Sequence, residues 1–358
     1  MHVINVKSNV RDYQVHFTED TDFIRAFTKL NDCVFVIDSN VWKLHSAGCL
    51  KDLKTVDIVV FPVSEERKNL MSVEELYDRF MERSAKKNMT MISIGGGILQ
   101  DITGFAATTL YRGINWIFVP TTLLAQADSC IGSKTSLNYK RFKNLVGTFY
   151  PPKEVYVFSP FLATLNEVDY YSGLGEVVKL HIMGGRKTTS ELVRMLPSLV
   201  QRKPEVMVTI IKNSLTIKQS YMEGDEFDTG RRNLLNFGHC FGHALETVSD
   251  YAIPHGQAVI IGMLFANVAA LHRGLLTTGT SDFLAKNLLL NTVTAKVRRS
   301  DFDSSRIFEA MKKDKKRTGQ GLVVVMMKDD YTFEKVNDFS EKELDESVKT
   351  LMNLMKVQ

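Results

Sequence analysis

The sequence predicts two domains: an α/β domain with a largely parallel sheet over residues 1–160, and an all-α domain over residues 161–358. Length is the first observation, because 358 residues exceed what one hydrophobic core usually organises. Second, short β-branched and aromatic runs alternate with amphipathic stretches in the first part of the chain. Third, long helical patterns replace those runs in the second part, which predicts a different architecture there.

The predicted strands of the first domain lie at CVFVIDSN, TVDIVVFPVS, MTMISIGGG and NWIFVPTT. An amphipathic segment separates each strand from the next, and this rhythm favours parallel strands joined by helices. Pro151, Pro152 and Pro160 mark the change to helical patterns, because proline disfavours helix continuation and fixes turn or extended geometry. We therefore place the domain boundary near residue 160.

Composition excludes several classes of protein. A net charge of +4, from 45 basic and 41 acidic residues, is too balanced for a dedicated nucleic-acid or membrane-surface protein. The four cysteines are scattered without a CxxC pair, which indicates reduced thiols. The N-terminus lacks a basic segment followed by an apolar one, and no apolar run approaches the roughly 20 residues of a membrane span. We expect a cytoplasmic protein that binds neither nucleic acid nor membranes.

A glycine run, Gly95–Gly97, lies directly after a strand-like segment and directly before a helical one. Bare backbone at a helix N-terminus can approach a phosphate group closely. The GxGxxG fingerprint is incomplete, because Gln100 occupies the position of the third glycine. Two interpretations stay open: a site for a cofactor pyrophosphate, or a tight turn without a ligand. Asp101 is either a ligand contact or an acid that complements the helix dipole.

The segment RRNLLNFGHCFGHALE is predicted to form one helix with a polar stripe. Arg232, Asn236, His239 and His243 are spaced i, i+4, i+7 and i+11, which places them on one face. Burying these groups along one line is costly unless they converge on something polar. Cys240 follows His239, so the segment is not the HExxH motif of zinc proteases. The stripe therefore predicts a catalytic or metal-binding face.

A long polar stretch, TTLLAQADSCIGSKTSLNYKRFKNLVGTFYPP, lies between apolar segments. It contains Asp128, Lys134, Lys143 and Asn144, together with glycine and serine residues. We predict a functional loop, because long loops of this kind carry function more often than stability. The alternative is a solvated connector, which fits Lys140–Arg141 best.

Six ordered motifs identify a resemblance: GGGILQDITGFAATTLYRG, VPTTLLAQADSCIGSKTSLN, KNLVGTFYPP, SGLGEVVK, LLNFGHCFGHALE and HGQAV. In these motifs the chain resembles 3-dehydroquinate synthase and the related sugar-phosphate cyclases over nearly its full length. The resemblance implies an N-terminal NAD-binding domain, a C-terminal helical metal-binding domain and a homodimer.

The resemblance also implies the site residues. The metal, Zn²⁺ or Co²⁺, would be bound by Glu176, His239 and His255. The substrate would be a small phosphorylated sugar acid. The residues implied to be catalytic, which would also bind it, are Lys134, Lys179, Lys218, Arg232, Asn236 and His243. The residues implied only to bind it are Arg112, Asp128, Asn144 and Lys315 or Lys316. Spacing alone would make Lys179 an ion-pair partner of Glu176. NAD would contact Asp38, Glu65, Lys68, Gly96, Gly97, Asp101, Thr121, Thr122, Leu124, Asp128, Lys134, Lys143, Phe161 and Thr164.

Within the family, the implied reaction converts 3-deoxy-D-arabino-heptulosonate 7-phosphate to 3-dehydroquinate and phosphate, a step of the shikimate pathway to aromatic amino acids. It consists of oxidation by bound NAD, phosphate elimination, return of the hydride and aldol closure. His243 would help to move protons, Arg232 and Lys218 would meet the substrate carboxylate, and Asp128 and Lys179 would meet its hydroxyl groups.

Three departures from the family pattern, Ser133, Gly175 and Gln257, suggest a divergent member whose pocket lining has changed. One alternative is therefore another cyclase, such as a 2-deoxy-scyllo-inosose or valiolone-type synthase. A second is an alcohol dehydrogenase related to glycerol dehydrogenase, against which the phosphate-directed lysines argue. A third is a catalytically silent scaffold, which would lack metal ligands, and none is missing here. Asn236 and His243 are retained as in 3-dehydroquinate synthases.

Overall fold

The computed structural model describes residues 2–140, 142–313 and 321–357. The chain divides into two compact units, Met1–Leu165 and Asn166–Gln358. The boundary predicted near residue 160 falls in a 3-10 segment, Ser159–Thr164, at the end of the first unit.

The first unit is an α/β unit built on a seven-stranded sheet with the order β1-β2-β9-β6-β5-β3-β4. Its strands and those of a separate hairpin, β7–β8, are β1 His2–Val6, β2 Tyr13–Phe17, β3 Cys33–Asp38, β4 Ile58–Phe61, β5 Thr90–Gly95, β6 Asn115–Pro120, β7 Lys134–Tyr139, β8 Phe142–Phe149 and β9 Glu154–Val157. Its helices are α1 Asp22–Phe27, α2 Ser39–His45, α3 Leu70–Glu82 and α4 Gly97–Thr109. Every pairing in the large sheet is parallel except β1 with β2, so the predicted parallel sheet is confirmed.

The central strands read as continuous apolar runs because both of their faces are covered. Val34–Ile37 of β3 and Met91–Gly95 of β5 are buried throughout. Strand order reverses at β3, since β4 follows it on one side and β5 on the other. In open α/β sheets, ligands bind outside the carboxyl ends of the strands at such a switch point. The carboxyl ends of β3 and β5 are therefore where a ligand is expected.

The polar stretch after β6 is not the long loop that we predicted. A π-helical turn, Ala125–Ser129, comes first, and the hairpin β7–β8 follows. Thr135 and Leu137 of β7 are buried while their neighbours face outward, so the strand has the usual period of two. Only one of the inward side chains is a large apolar one, which is why the pattern did not predict a strand.

The second unit is mainly helical, as predicted. Its helices are α5 Glu167–Met183, α6 Arg186–Val200, α7 Pro204–Met222, α8 His239–Val248, α9 His255–His272, α10 Thr278–Leu284, α11 Leu290–Thr292, α12 Ser304–Lys312 and α13 Glu341–Met355. A hairpin, β10 Leu322–Met327 with β11 Phe333–Phe339, is a feature that the all-α prediction did not include. Among the described residues α9 alone has the length and composition of a membrane span, and 83% of it is buried, as in a core helix.

The segment predicted as one helix with a polar stripe is divided in two. Arg231–Asn236 forms a 3-10 segment, and α8 begins only at His239. Gly238 between them has φ 78°, a left-handed conformation that favours glycine. A Cβ on Gly238 would also lie 2.6 Å from the carbonyl oxygen of Val259. The predicted single helix is therefore wrong for residues 231–238, and among the four predicted polar residues only His239 and His243 share an α-helix.

Candidate active site

Helices α5 and α9 approach each other closely enough to bring two candidate metal ligands together. A Cβ on Gly175 would lie 2.2 Å from the carbonyl oxygen of Gly256, so glycine permits this packing. Gly175 directly precedes Glu176 on α5, and Gly256 directly follows His255, the first residue of α9. The close packing of the two helices therefore places the Glu176 carboxylate beside the His255 ring.

Three candidate ligand atoms converge in the second unit. Glu176 Oε1 lies 3.3 Å from Nε2 of His239 and 3.2 Å from Nε2 of His255. Ligand atoms about 2.0–2.1 Å from a tetrahedral zinc ion lie about 3.3–3.4 Å apart, which matches both distances. Both oxygens of Glu176 are buried, and neither makes a hydrogen bond of normal geometry with a described residue. A buried carboxylate in this state is suited to a cation, so these residues fit a divalent metal.

Both imidazole rings are held so that Nε2 faces Glu176. Nδ1 of His239 donates to the carbonyl oxygen of Phe237 over 3.3 Å. Nδ1 of His255 donates to Oε2 of Glu246 over 3.2 Å. These bonds fix the tautomer that leaves the Nε2 lone pair available to a metal.

The charges of the cluster explain its pKa shifts. Burial opposes ionisation of Glu176, but Lys179 and His239 hold the pKa of its carboxyl well below the usual range. Burial and the nearby Lys179 ammonium lower the pKa of His239. Burial also opposes protonation of His255, yet the carboxylates of Glu176 and Glu246 raise its pKa to about 10. The cluster thus holds an ionised carboxylate among cationic groups, and a metal would replace a proton at His255.

His243 offers a competing set of ligands. Donor atoms of His239, His243 and His255 all lie within 4.8 Å of one another. The His243 ring stacks on that of His255 with 5.7 Å between centroids. However, His243 is exposed, and Glu176 is both closer to the other two ligands and buried. We favour Glu176 as the third ligand, which leaves His243 beside the metal position.

Three predicted substrate contacts of the second unit are buried side chains. Lys179 is almost fully buried and pairs with Glu176, as its spacing predicted. Lys218 is buried on α7. Arg232 is buried on the 3-10 segment before α8, and its guanidinium donates to the Glu226 carbonyl oxygen.

Two further predictions concern residues 236 and 315–316. Asn236 lies at the end of the 3-10 segment, where its amide donates to the carbonyl oxygen of Asn233 over 2.7 Å. Lys315 and Lys316 lie outside the described residues, so their predicted role stays a prediction.

A loop that precedes Arg232 was not predicted to matter. One oxygen of Asp225 accepts from the backbone N–H of Gly230 and of Arg232, and the other accepts from that of Thr229. Burial tends to raise the pKa of the Asp225 carboxyl, but these hydrogen bonds outweigh it and lower the pKa. No spacing rule could have found Asp225, because the contacts come from the folded turn.

In the first unit, several predicted cofactor residues meet at the switch point. Gly96 is the N-cap of α4, and a Cβ there would lie 2.9 Å from Cγ2 of Thr122. Gly95, the last residue of β5, is also closely packed, because a Cβ there would lie 3.3 Å from Cβ of Asp38. Glycine thus permits this close packing, and Gly96 and Gly97 carry no side chain that would cover the N–H groups at the start of α4. Other predicted residues at this edge are Gly97, Thr121 and Leu124.

A second group of predicted residues is joined by hydrogen bonds. The ammonium of Lys68 contacts Asp101 at 2.5 Å and Asn144 at 2.7 Å. Ser136, which was not predicted, donates to Asp101 over 3.2 Å and to Asn144 over 3.0 Å. Asp101 is thus engaged with Lys68 and β7 rather than serving only the helix dipole. Glu65 lies next to this group. Its Oε1 accepts from the Asn138 amide over 2.8 Å and lies 3.7 Å from Nζ of Lys143.

The remaining predicted residues of the first unit are more scattered. Phe161 and Thr164 surround His45, whose Nε2 lies 2.9 Å from Oγ1 of Thr164. Asp128 lies on the π-helical turn, and Lys134 is exposed at the start of β7. Arg112 is exposed beyond the C-terminal end of α4, at the opposite end from Gly96. Within residues 2–140 and 142–165, no described contact links Arg112 with Asn144, which the prediction had grouped with it.

Two of the three departures from the family pattern have packing roles. The Gln257 amide donates to the carbonyl oxygens of Tyr171 and Thr292, and its oxygen accepts from the backbone N–H of Thr294 over 2.6 Å. It braces α9 against two other segments, and Gly175 permits the helix contact described above. These contacts account for both residues without a change in the pocket lining. Ser133 has φ 62°, a conformation that serine adopts with strain.

Comparisons with known proteins identify the family of the chain. The N-terminal family model of 3-dehydroquinate synthase matches residues 58–172, and the C-terminal model matches residues 173–317. The 3-dehydroquinate synthase of Acetivibrio thermocellus is 33% identical over 90% of this chain and 91% of its own length. That of Clostridium tetani is 37% identical over 74% of this chain and 73% of its own length.

A solved structure shares the fold. The 2-epi-5-epi-valiolone synthase of Streptomyces hygroscopicus, solved with NAD⁺ and Zn²⁺ bound, is 24% identical, with a TM-score of 0.85. The match covers 98% of this chain and 99% of that one. Because the family models and the relatives together cover most of the chain, it belongs to the 3-dehydroquinate synthase family.

Proposed function

We propose that the chain is a metal- and NAD-dependent 3-dehydroquinate synthase, a lyase that eliminates phosphate from 3-deoxy-D-arabino-heptulosonate 7-phosphate and closes the ring. The observation that carries the proposal is the convergence of Glu176, His239 and His255 at 3.2–3.3 Å in a helical unit of this family. Relatives with this name over about nine-tenths of the chain support the substrate.

Glu176, His239 and His255 would hold Zn²⁺ or Co²⁺. When bound, the metal supplies a Lewis acid that polarises a substrate hydroxyl or carbonyl oxygen. Glu176 contributes negative charge, and the backbone of Phe237 keeps His239 in the coordinating tautomer. His243 is exposed with its ring within 5.3 Å of the His239 ring, so it is placed to take or give a proton near the metal position.

NAD would bind at the switch point of the first unit. Its pyrophosphate would meet the N-terminus of α4 at Gly96 and Gly97, where the backbone is bare and the helix dipole favours an anion. Asp38, at the end of β3, would meet a ribose hydroxyl, as an acid after a strand does in dinucleotide sites. The Streptomyces synthase structure contains NAD⁺, which supports NAD as the cofactor.

The anionic groups of the substrate would meet buried cations. Arg232 and Lys218 are both at least nine-tenths buried, which is costly for a cation unless it binds an anion or carbonyl groups. A guanidinium suits a carboxylate because it can donate two parallel hydrogen bonds. During phosphate elimination, such cations would stabilise the negative charge that develops.

One other substrate is favoured by a specific observation. The fold is shared at a TM-score of 0.85 with a cyclase that makes 2-epi-5-epi-valiolone. A cyclase for another sugar phosphate is therefore the second candidate function. The two packing roles of Gly175 and Gln257 weaken this candidate, because those departures no longer indicate a changed pocket.

We also propose that the protein is a cytoplasmic homodimer. The hairpin β7–β8 forms a separate two-stranded sheet, and apolar side chains on it are exposed: Tyr139 44%, Phe142 47% and Leu145 45%. Natural proteins rarely leave such an apolar edge uncovered. Light scattering of the purified protein tests this, and a Phe142→Glu, Leu145→Lys double variant should shift the mass from dimer to monomer. A wild-type monomer at micromolar concentration would contradict the dimer.

The function is tested by incubating the purified protein with NAD, zinc and 3-deoxy-D-arabino-heptulosonate 7-phosphate. We expect equal amounts of phosphate and 3-dehydroquinate without accumulation of NADH. No product from this substrate, with phosphate released from glucose 6-phosphate or sedoheptulose 7-phosphate, would establish the second candidate instead. Net NADH formation without phosphate release would identify an alcohol dehydrogenase.

A further inference from the structure

A buried carboxylate on α8 was not among the predicted metal, substrate or cofactor residues. Glu246 is only 8% exposed, and burying a carboxylate is costly unless a partner compensates for it. Its carboxylate lies 3.2 Å from Nδ1 of His255, and it has no other described side-chain partner within residues 142–313 and 321–357. The structure therefore commits this buried charge to one imidazole.

The position of Glu246 follows from the helix that carries it. His239, His243 and Glu246 are spaced i, i+4 and i+7, which puts all three on the face of α8 that meets His255. Helix α8 thus carries both the candidate ligand His239 and Glu246, the hydrogen-bond partner of the second ligand, His255. His239 needs no such side chain, because the carbonyl oxygen of Phe237 already accepts from its Nδ1.

We infer that Glu246 is a positioning residue for the metal, which orients the His255 ring and fixes the proton on Nδ1 so that Nε2 binds the cation. The inference deepens the proposed function and rests on its metal site. Histidine ligands usually donate their second N–H to such a partner, and losing the partner lowers metal affinity about 10–100-fold. His255 is the ligand most in need of support, since its side chain is 35% exposed against 13% for His239.

Two variants of similar volume separate this role from simple packing. Glu246→Gln keeps an oxygen that can accept from Nδ1, whereas Glu246→Met fills the same space with at most a weak acceptor. Asp250→Asn is the control for charge, because it removes one negative charge at an exposed position four residues away. Thermal unfolding of each variant in chelator shows whether the metal-free fold is intact.

The experiment titrates chelator-stripped protein with Co²⁺ and follows the visible absorbance of the bound ion. We expect Glu246→Met to weaken Co²⁺ binding about 10–100-fold. Glu246→Gln should stay within about threefold of wild type, because a neutral acceptor gives roughly half the strength of a charged one. Asp250→Asn should match wild type.

Three outcomes would overturn the inference. Binding of Co²⁺ by Glu246→Met within twofold of wild type would show that Glu246 does not position His255. Equal losses in Glu246→Met and Asp250→Asn would show general electrostatics instead. Failure of the wild type to bind Co²⁺ would remove the metal site itself, and the proposed function with it. Normal wild-type binding with an unaffected Glu246→Met would remove only the role of Glu246.

Discussion

The metal centre of the second unit and the cofactor edge of the first unit are built in different ways. The metal centre consists of one buried carboxylate and two partly buried imidazoles from three helices, α5, α8 and α9, each held by a neighbouring group. The cofactor edge consists mainly of backbone at the ends of strands, where glycine leaves room. One site therefore depends on individual side chains, and the other depends on sheet topology and on the absence of side chains.

The largest expected effect comes from removing a metal ligand. His239→Ala deletes one of three donors, so we expect loss of bound zinc and a fall in turnover of at least about 1,000-fold. Zinc content by mass spectrometry and phosphate release measure the two effects. NAD affinity should be unchanged, because the cofactor edge uses none of these side chains. Full activity in metal-depleted protein would contradict the assignment.

His243→Ala separates the two possible ligand sets. If Glu176 is the third ligand, zinc content stays at the wild-type level while turnover falls about 10²–10⁴-fold, the usual contribution of a general acid or base. If the three histidines bind the metal, zinc is lost together with activity. Glu176→Gln is the matched variant, and it should lose zinc.

Gly96→Val tests whether NAD binds at the N-terminus of α4. A side chain there would begin 2.9 Å from Cγ2 of Thr122 and cover the bare backbone at α4. We expect NAD to bind about 10–100-fold more weakly, or about 1.4–2.8 kcal/mol, with zinc content unchanged. Gly48→Ala is the control, because its Cβ would meet only an ordinary contact at 3.7 Å. Equal NAD affinity in Gly96→Val would show that the pyrophosphate binds elsewhere.

His181 makes the second unit sensitive to acid. It is fully buried on α5, Nδ1 donates to the Val177 carbonyl oxygen, and burial lowers its pKa to about 4. An unfolded histidine has a pKa of about 6.5, so between pH 6.5 and 4 the unfolded chain binds a proton that the folded chain does not. The free energy of unfolding should therefore decrease as the pH is lowered from 6.5 to 4. At pH 4 the decrease due to His181 is about 3 kcal/mol.

Urea unfolding at pH 7 and pH 4 measures this loss of stability. His181→Gln should lose about 3 kcal/mol less than wild type between the two pH values. His2→Gln, at an exposed position, is the control and should behave like wild type. An identical pH dependence in His181→Gln and wild type would contradict the prediction.

The smallest expected effect is at Ser133. Its φ of 62° is strained for serine and ordinary for glycine, which the family pattern has at this position. Ser133→Gly should raise the free energy of unfolding by at most about 1 kcal/mol, because glycine also makes the unfolded chain more flexible. Denaturant unfolding measures the change, and a loss of stability would show that the serine hydroxyl matters more than backbone strain.

The cofactor edge was the easier of the two regions to predict from the sequence. A strand, three glycines and a helix occur consecutively, so Gly96 and Gly97 could be placed at the end of β5 from local pattern alone. The hairpin β7–β8 escaped prediction because its buried face carries only one large apolar residue, Leu137. Ser136 and His45 were missed because their partners are distant in sequence.

The metal centre could be predicted only in part. Spacing placed His239 and His243 correctly, since both lie on α8, but it failed for Arg232 and Asn236 because Gly238 turns the chain before the helix. Glu176 could not be selected by spacing, because it depends on how closely α5 packs against α9 at Gly175. Glu246 emerged only from the structure, through its contact with His255.

X-ray absorption spectroscopy of the zinc-loaded protein identifies the metal ligands directly. We expect two imidazole ligands and an oxygen from a carboxylate, with the same spectrum in His243→Ala and one imidazole fewer in His239→Ala. A spectrum with three imidazoles that changes in His243→Ala would contradict the metal centre of Glu176, His239 and His255.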